Sequence, residues 1–200
     1  MKTPPLILAS ASPRRADLLR QLGVEFQIAP SGVREVEAEP LSAGETARIN
    51  AYRKARAAAT KHPDALVLGV DTVVALGGAL FGKPGTLREA EHILLTLGGK
   101  THRVVTGVCL LHLRAHRHRI FFEETAVTFR PLTPQHVRRY HARVNPLDKA
   151  GAYGIQEHAE MLVEAISGSF SNVIGLPLER LAAELPAFGL RLPRAGRHQD

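Results

Sequence analysis

Apolar positions along this chain follow two periods in turn, one of strands and one of helices. Leu6–Ala9 is a short continuous apolar run, as in a strand buried on both faces. Pro13–Leu22 follows at once, with Leu18, Leu19 and Leu22 on one helical face and Gly23 as a stop. Val24–Ala29 predicts a second strand, and Ser31–Gly44 a loop carrying several acids. An Ala-rich helix is expected over Glu45–Thr60. Ala65–Val70 reads as a buried strand that continues past Asp71 through Thr72–Leu76, and Gly77-Gly78 turns it into a hairpin. Thr86-Leu87-Arg88-Glu89 is a capping box, opening a helix that Gly98-Gly99 ends. Arg103–Leu113 and Ile120–Arg130 predict paired strands around a basic tip, Arg114–Arg119. Thr133-Pro134 starts a helix reaching about Arg143. Asn145–Gln156 reads as a glycine-spaced loop, Met161–Ile166 as a strand and Leu178–Leu185 as the last helix. Alternating elements with two long hairpins predict an α/β fold on a mixed sheet, not a purely parallel one.

Composition narrows the class. A chain of 200 residues and 21.7 kDa suits one domain or two joined lobes. Residues 1–188 are read as that domain, and the Arg- and Pro-rich stretch 189–200 is expected to fray. Charged residues at 22% and a mean hydropathy of −0.06 fit a globular chain and argue against disorder. No apolar run reaches the ~18–20 residues needed to span a bilayer, and the N-terminal run is too short for a signal peptide. The single cysteine, Cys109, excludes an internal disulfide and a cysteine-cluster zinc site, and suits a cytoplasmic protein. The formal net charge of +7 invites a phosphate-bearing partner, nucleic acid or small molecule, with compositional drift as the alternative.

Two local rules are broken. Ser10-Ala11-Ser12-Pro13-Arg14-Arg15 begins a helix straight after a strand, with Ser12 as N-cap and Pro13 at the first helical position. The first turn carries the positive end of the helix dipole, yet two arginines occupy it. Such a turn either binds an anion such as phosphate, or its arginines reach acids on neighbouring loops. Asp71 interrupts an apolar strand, where a carboxylate is costly without a cation or strong donors. It is either a strand-end cap, or a general base or divalent-metal ligand, with Glu35 of the acidic run Glu35–Glu39 as a second ligand.

Other segments carry weaker signals. Gly77 to Lys83 formally satisfies G-x-x-x-x-G-K, but Pro84 stands where a phosphate-binding loop needs Ser or Thr. Lys83 remains a candidate phosphate contact or a solvated lysine. In Asp148–Gln156, glycines permit close backbone approach to a ligand, and Gln156 offers a donor and an acceptor suited to the imide edge of uracil or thymine; the alternative is a purely structural loop. His112, His116 and His118 are read as lining a hairpin tip, Cys109 as a core thiol, and Arg138–Arg143 as a solvated helix face.

Taken together the segments LILASASPRRADLL, GVREVE, Lys54-Ala55, LGVDTVV, FGKP, GGKTHRVVTGV, NPLDKAGAYGIQ and NVIGLPL resemble the Maf family of nucleoside-triphosphate pyrophosphatases. They span roughly Leu6 to Leu185 in the family's order. The resemblance implies an elongated mixed sheet flanked by helices, in two lobes with a central cleft, like inosine-triphosphate pyrophosphatases. It implies cleavage of a nucleoside triphosphate to monophosphate and pyrophosphate with a divalent cation, Mg2+ or Mn2+. Asp71 matches the family's proton acceptor and, with Glu35, would hold the metal; Lys54 and Lys83 match catalytic cations. Ser10, Arg14, Arg15, Thr72 and Gln156 match substrate-binding positions. Arg14, Thr72 and Gln156 resemble the subgroup acting on dTTP and UTP, a nucleotide-pool housecleaning role. Glu157-His158-Ala159 departs from the glycines the family usually carries after Gln156. The alternative is a non-catalytic nucleotide- or nucleic-acid-binding regulator linked to septum formation. A homodimer is the statistical default among soluble oligomers.

Overall fold

Seven strands form one mixed sheet in the computed structural model, which describes residues 3–36 and 41–193. The strands are β1 (Leu6–Leu8), β2 (Phe26–Ile28), β3 (Leu66–Leu76), β4 (Ala79–Phe81), β5 (Thr101–His112), β6 (Arg117–Phe129) and β7 (Val163–Ser167). Their order is β2-β1-β3-β5-β6-β7, with β4 also on β3. β1 runs parallel to β2 and β3, whereas β3, β5, β6 and β7 are antiparallel neighbours, so the sheet is mixed as the hairpins predicted. Among the described residues six α-helices flank it: α1 (Pro13–Gln21), α2 (Ala43–Lys61), α3 (Leu87–Leu97), α4 (Pro134–His141), α5 (Phe170–Ile174) and α6 (Leu178–Glu184).

The period-2 alternation of β3, β5 and β6 gives the sheet two different faces. On one, Leu66, Leu68, Val70, Val108, Leu110 and Phe121 pack with α1 and α6. The far ends of the same strands, through Val74, Val104, Val127 and Phe129, pack with α3 and α4 in a second core. A polar belt separates the two cores. Thr72 Oγ1 lies 3.0 Å from Thr106 Oγ1, which donates to the Asn172 carbonyl at 3.1 Å. Asn172 Nδ2 in turn donates to the Val104 carbonyl and to Thr125 Oγ1, both at 3.0 Å. Two apolar clusters thus lie on either side of this belt.

The opposite face belongs to α2. Its alanines, Ala47, Ala51, Ala55 and Ala58, are all buried against it. The approach is close because β3 and β5 carry Gly69 and Gly107 beneath the helix. A Cβ on Gly69 would overlap the Ala51 carbonyl, and one on Gly107 would overlap the Ala47 carbonyl. The helix begins two residues before the predicted start, because Ser42 Oγ accepts from Glu45 N while Glu45 Oε2 accepts from Ser42 N in a full capping box.

Other boundaries shift for local reasons. Arg117–Arg119 belong to β6, leaving a turn over 113–116 in which His116 takes the left-handed conformation, φ 50°. α5 has no apolar period and was not expected; it forms where Ser169 caps Asn172 N and Gly175 ends it. The frayed tail expected from 189 is corrected in part: Leu190 is buried in the first core beside Leu185 and Phe188. The remainder of that tail, 194–200, lies outside the described residues. Cys109 is fully buried among α2 alanines, and burial pushes its thiol up to about 12.

Candidate active site

The site arises from a gap along one edge of β3. β1 pairs with β3 only through Leu66–Leu68, and β4 only through Val74–Leu76. Between them the β3 edge, including Asp71 and Thr72, is open. Because neighbouring strand residues point to opposite faces, Asp71 reaches toward α2 and Thr72 toward α1. A cleft of about 430 Å3 opens at this notch, lined from both sides of the sheet.

On the α2 side, Asp71 is 2% exposed and its two oxygens are both engaged. Lys54 Nζ donates to Oδ1 at 2.7 Å, and Asn50 Nδ2 to Oδ2 at 3.1 Å. Lys54 Nζ also donates to Glu35 Oε1 at 2.6 Å, so one buried ammonium joins the two carboxylates. Lys83 Nζ stands 3.9 Å from the same Glu35 oxygen on a half-exposed side chain. Burial pushes the Asp71 carboxyl above its usual range; Lys54 offsets only part of this, and the charge of Glu35 adds to it. Glu35 is also pushed up by burial, but the charge and hydrogen bond of Lys54, with Lys83 behind, bring it net below its usual value. The rest of the acidic run, 37–39, lies outside the described residues.

On the α1 side, the two arginines of the first turn have different roles. Arg15 is tied into the protein: Nε donates to the Gly175 carbonyl at 2.9 Å, Nη2 to Thr72 Oγ1 at 2.9 Å and Nη1 to Ser10 Oγ at 3.2 Å. Arg14 reaches across the cleft, and its Nη1 donates to Asp148 Oδ2 at 2.8 Å. The acid-on-a-neighbouring-loop reading therefore holds for Arg14, while Arg15 braces Thr72 and Ser10. Ser12 stands at the N-cap, but its side chain caps nothing; Ser10 Oγ accepts from Ser12 N at 3.2 Å instead. The first-turn N–H groups of α1 thus lack a side-chain acceptor, as an anion site at a helix start requires.

The third wall is the 145–157 loop. Lys149 is almost wholly buried, donates to the Asn145 carbonyl at 2.9 Å and pairs with Asp148 at 2.8 Å and Glu157 at 3.1 Å. Tyr140 Oη accepts from Gly154 N at 2.9 Å, and Tyr153 Oη lies 2.8 Å from His102 Nε2, which anchors the loop to the second core. Gln156, exposed at the end of this loop, lines the cleft.

Every sequence-predicted site residue lines this one cleft: Ser10, Arg14, Arg15, Glu35, Lys54, Asp71, Thr72, Lys83 and Gln156. Asn50 and Lys149 were missed. Asn50 carried a signal, since it sits one helical turn before Lys54 on an otherwise alanine-lined face. Lys149 carried none beyond its place in a polar loop.

The notch, the paired carboxylates and the cationic helix start define an α/β protein with a cleft built for an anionic ligand. The particular family follows from comparison: the model described as Maf-like protein matches residues 5–188, and the chain belongs to the Maf family. A Symbiobacterium thermophilum protein named dTTP/UTP pyrophosphatase is 46% identical over 184 residues, covering 92% of this chain and 94% of that one. One of the same name from Moorella thermoacetica is 45% identical over 185 residues, covering 92% and 95%. A solved structure titled a HAM1 protein, from Coxiella burnetii, aligns with a TM-score of 0.42 at 17% identity, over 63% of this chain and 73% of that one.

Proposed function

We propose that this chain hydrolyses dTTP and UTP to the monophosphate and pyrophosphate. The observation that carries the reading is the Asp71–Lys54–Glu35 triad at the open edge of β3, with Asp71 and Lys54 buried, in the same cleft as the uncapped start of α1. Its near relatives carry the name dTTP/UTP pyrophosphatase, which supports the same reaction and base.

The donor set fits a divalent cation shared with the substrate. Two carboxylates converge on the cationic point that Lys54 occupies, and among the described residues no third His, Cys, Asp or Glu joins a ligand group. One or two carboxylates completed by phosphate oxygens and water are the usual magnesium arrangement. Asp71 and Glu35 would hold the ion, and Mg2+ or Mn2+ there would neutralise phosphate charge and acidify a water.

The chain's own groups do the rest. Asp71, raised toward the range of an effective general base, takes the proton as water attacks the α-phosphorus. The bond from that phosphorus to the β-phosphate oxygen breaks, and pyrophosphate leaves. Lys54, Lys83 and Arg14 face the negative charge that develops on it. Gln156 presents its amide to the pyrimidine imide edge.

A panel of dTTP, UTP, CTP, GTP and a methylated purine triphosphate, assayed with Mg2+ or Mn2+, tests this. Pyrophosphate release with preference for dTTP and UTP is expected. Orthophosphate release, preference for the methylated purine, or DNA binding without turnover would overturn it.

A further inference from the structure

The outer edge of β6 is open over its first half. β7 covers β6 only from Ala126 to Phe129, so among the described residues no strand pairs with the outer side of 117–125. The Phe122 carbonyl points outward, away from β5, because it accepts from Arg180 Nη1 at 2.6 Å. By strand alternation the N–H and C=O groups of His118, Ile120 and Glu124 point outward with it. This edge is the floor of a surface groove of about 490 Å3, walled by Arg48 on one face of the sheet and Arg180 on the other.

An exposed edge of this length is normally blunted by charged side chains, by proline or by a bulge. Here the charges are of both signs and sorted by end. Arg117, His118 and Arg119 stand at one end and Glu123 and Glu124 at the other, with Ile120, Phe121 and Phe122 between. We propose that this edge pairs with the same edge of a second copy of the chain, antiparallel about a two-fold axis at Phe121.

Only residues that point outward can form the hydrogen-bonded pairs of such a ladder, so the register must place even-numbered positions opposite one another. Centred on Phe121, that register sets Ile120 against Phe122 and His118 against Glu124. The intervening pair, Arg119 against Glu123, has side chains on one face and opposite charge. Shifting the centre by one residue to Ile120 puts Arg117 against Glu123 but Arg119 against Phe121, and His118 no longer meets Glu124. On pairing, the Phe122 carbonyl passes from Arg180 to the Ile120 N–H of the partner, while Arg180 keeps Glu123, 3.3 Å away. The two seven-stranded sheets become one continuous sheet.

Sedimentation or light scattering at micromolar concentration tests this. The expected mass is twice the 21.7 kDa of the chain. Arg119→Glu and Glu123→Arg should each weaken the dimer by at least about tenfold, from like charges brought face to face. The double variant should restore it. That rescue separates the proposal from damage to α6. Within one chain Arg119 pairs with Glu184, and Glu123 with Arg180, so the double swap leaves both of those contacts broken. A monomer at all concentrations, a dimer unchanged by either single variant, or a double variant no better than the singles would overturn the inference.

Discussion

Asp71, the general base under the proposed function, is buried at a cost to stability. Its carboxyl sits above the ordinary range because burial outweighs the help from Lys54. Between the ordinary value and the raised one, the folded chain holds a proton that the unfolded chain has released. Stability therefore falls as pH rises through that window and levels off above it. Replacing Asp71 with Asn removes the titration. Thermal midpoints of variant and parent, measured across that window, should diverge in the variant's favour as pH rises, and parallel curves would contradict the assigned direction. Turnover by Asp71→Asn should drop by ~10²–10³ or more, comparable with loss of an electrostatic partner in other active sites. Nucleotide binding should remain measurable by calorimetry. At this scale much was legible, because a carboxylate inside an apolar run and two arginines in a first helical turn both violate simple rules. Arg15's actual work was not: nothing in SPRR says that one guanidinium braces Thr72 and Ser10 while its neighbour crosses the cleft to Asp148.

Among the elements, α2 against β3 and β5 decides whether the triad exists. Asn50 and Lys54 reach Asp71 only because Gly69 and Gly107 let the helix backbone settle onto the sheet. Gly69→Ala forces the helix outward. Overpacking of this kind costs about 1–3 kcal/mol, or about 2–12 °C in Tm for a chain of this size. Turnover measured well below the melting range should fall as well, since Lys54 moves with the helix. A variant that melts lower but turns over normally would uncouple the helix from the chemistry. Strand and helix periods revealed the long hairpin and the alanine helix. Gly69 and Gly107 carried no readable signal of this role, because their partners lie more than a dozen residues away. α5 and Asn172 were invisible for a related reason: five residues make no period, and a buried amide bridging Val104 and Thr125 has no local signature.

For the whole molecule, the net charge of +7 concerns approach more than chemistry. Under the proposed function Arg14, Lys54 and Lys83 would draw a triphosphate toward the cleft, and the distant cations on β6 and α4 add to the long-range field as well. The Debye length shrinks from ~10 Å at 0.1 M salt to ~3 Å at 1 M. Raising salt at constant free divalent cation should therefore lower kcat/KM for dTTP through KM, with kcat little changed. Steady-state kinetics across that range checks it, and an unchanged KM would assign the surplus charge to composition alone. The charge excess was plain in the sequence, but its division between cleft and surface needed the fold.

The open stretch of β3 has one more consequence, for insertions and deletions. Asp71 and Thr72 serve opposite faces of the sheet because they are consecutive. Losing a single residue from the start of β3 would shift the phase of everything after it, offering the Thr72 hydroxyl to Lys54 and the apolar Val73 side chain to Arg15. Length changes are thus forbidden upstream of the notch, while the 113–116 turn at the other end of the sheet can absorb them. The site is written in a reading frame of its own, with a period of two residues.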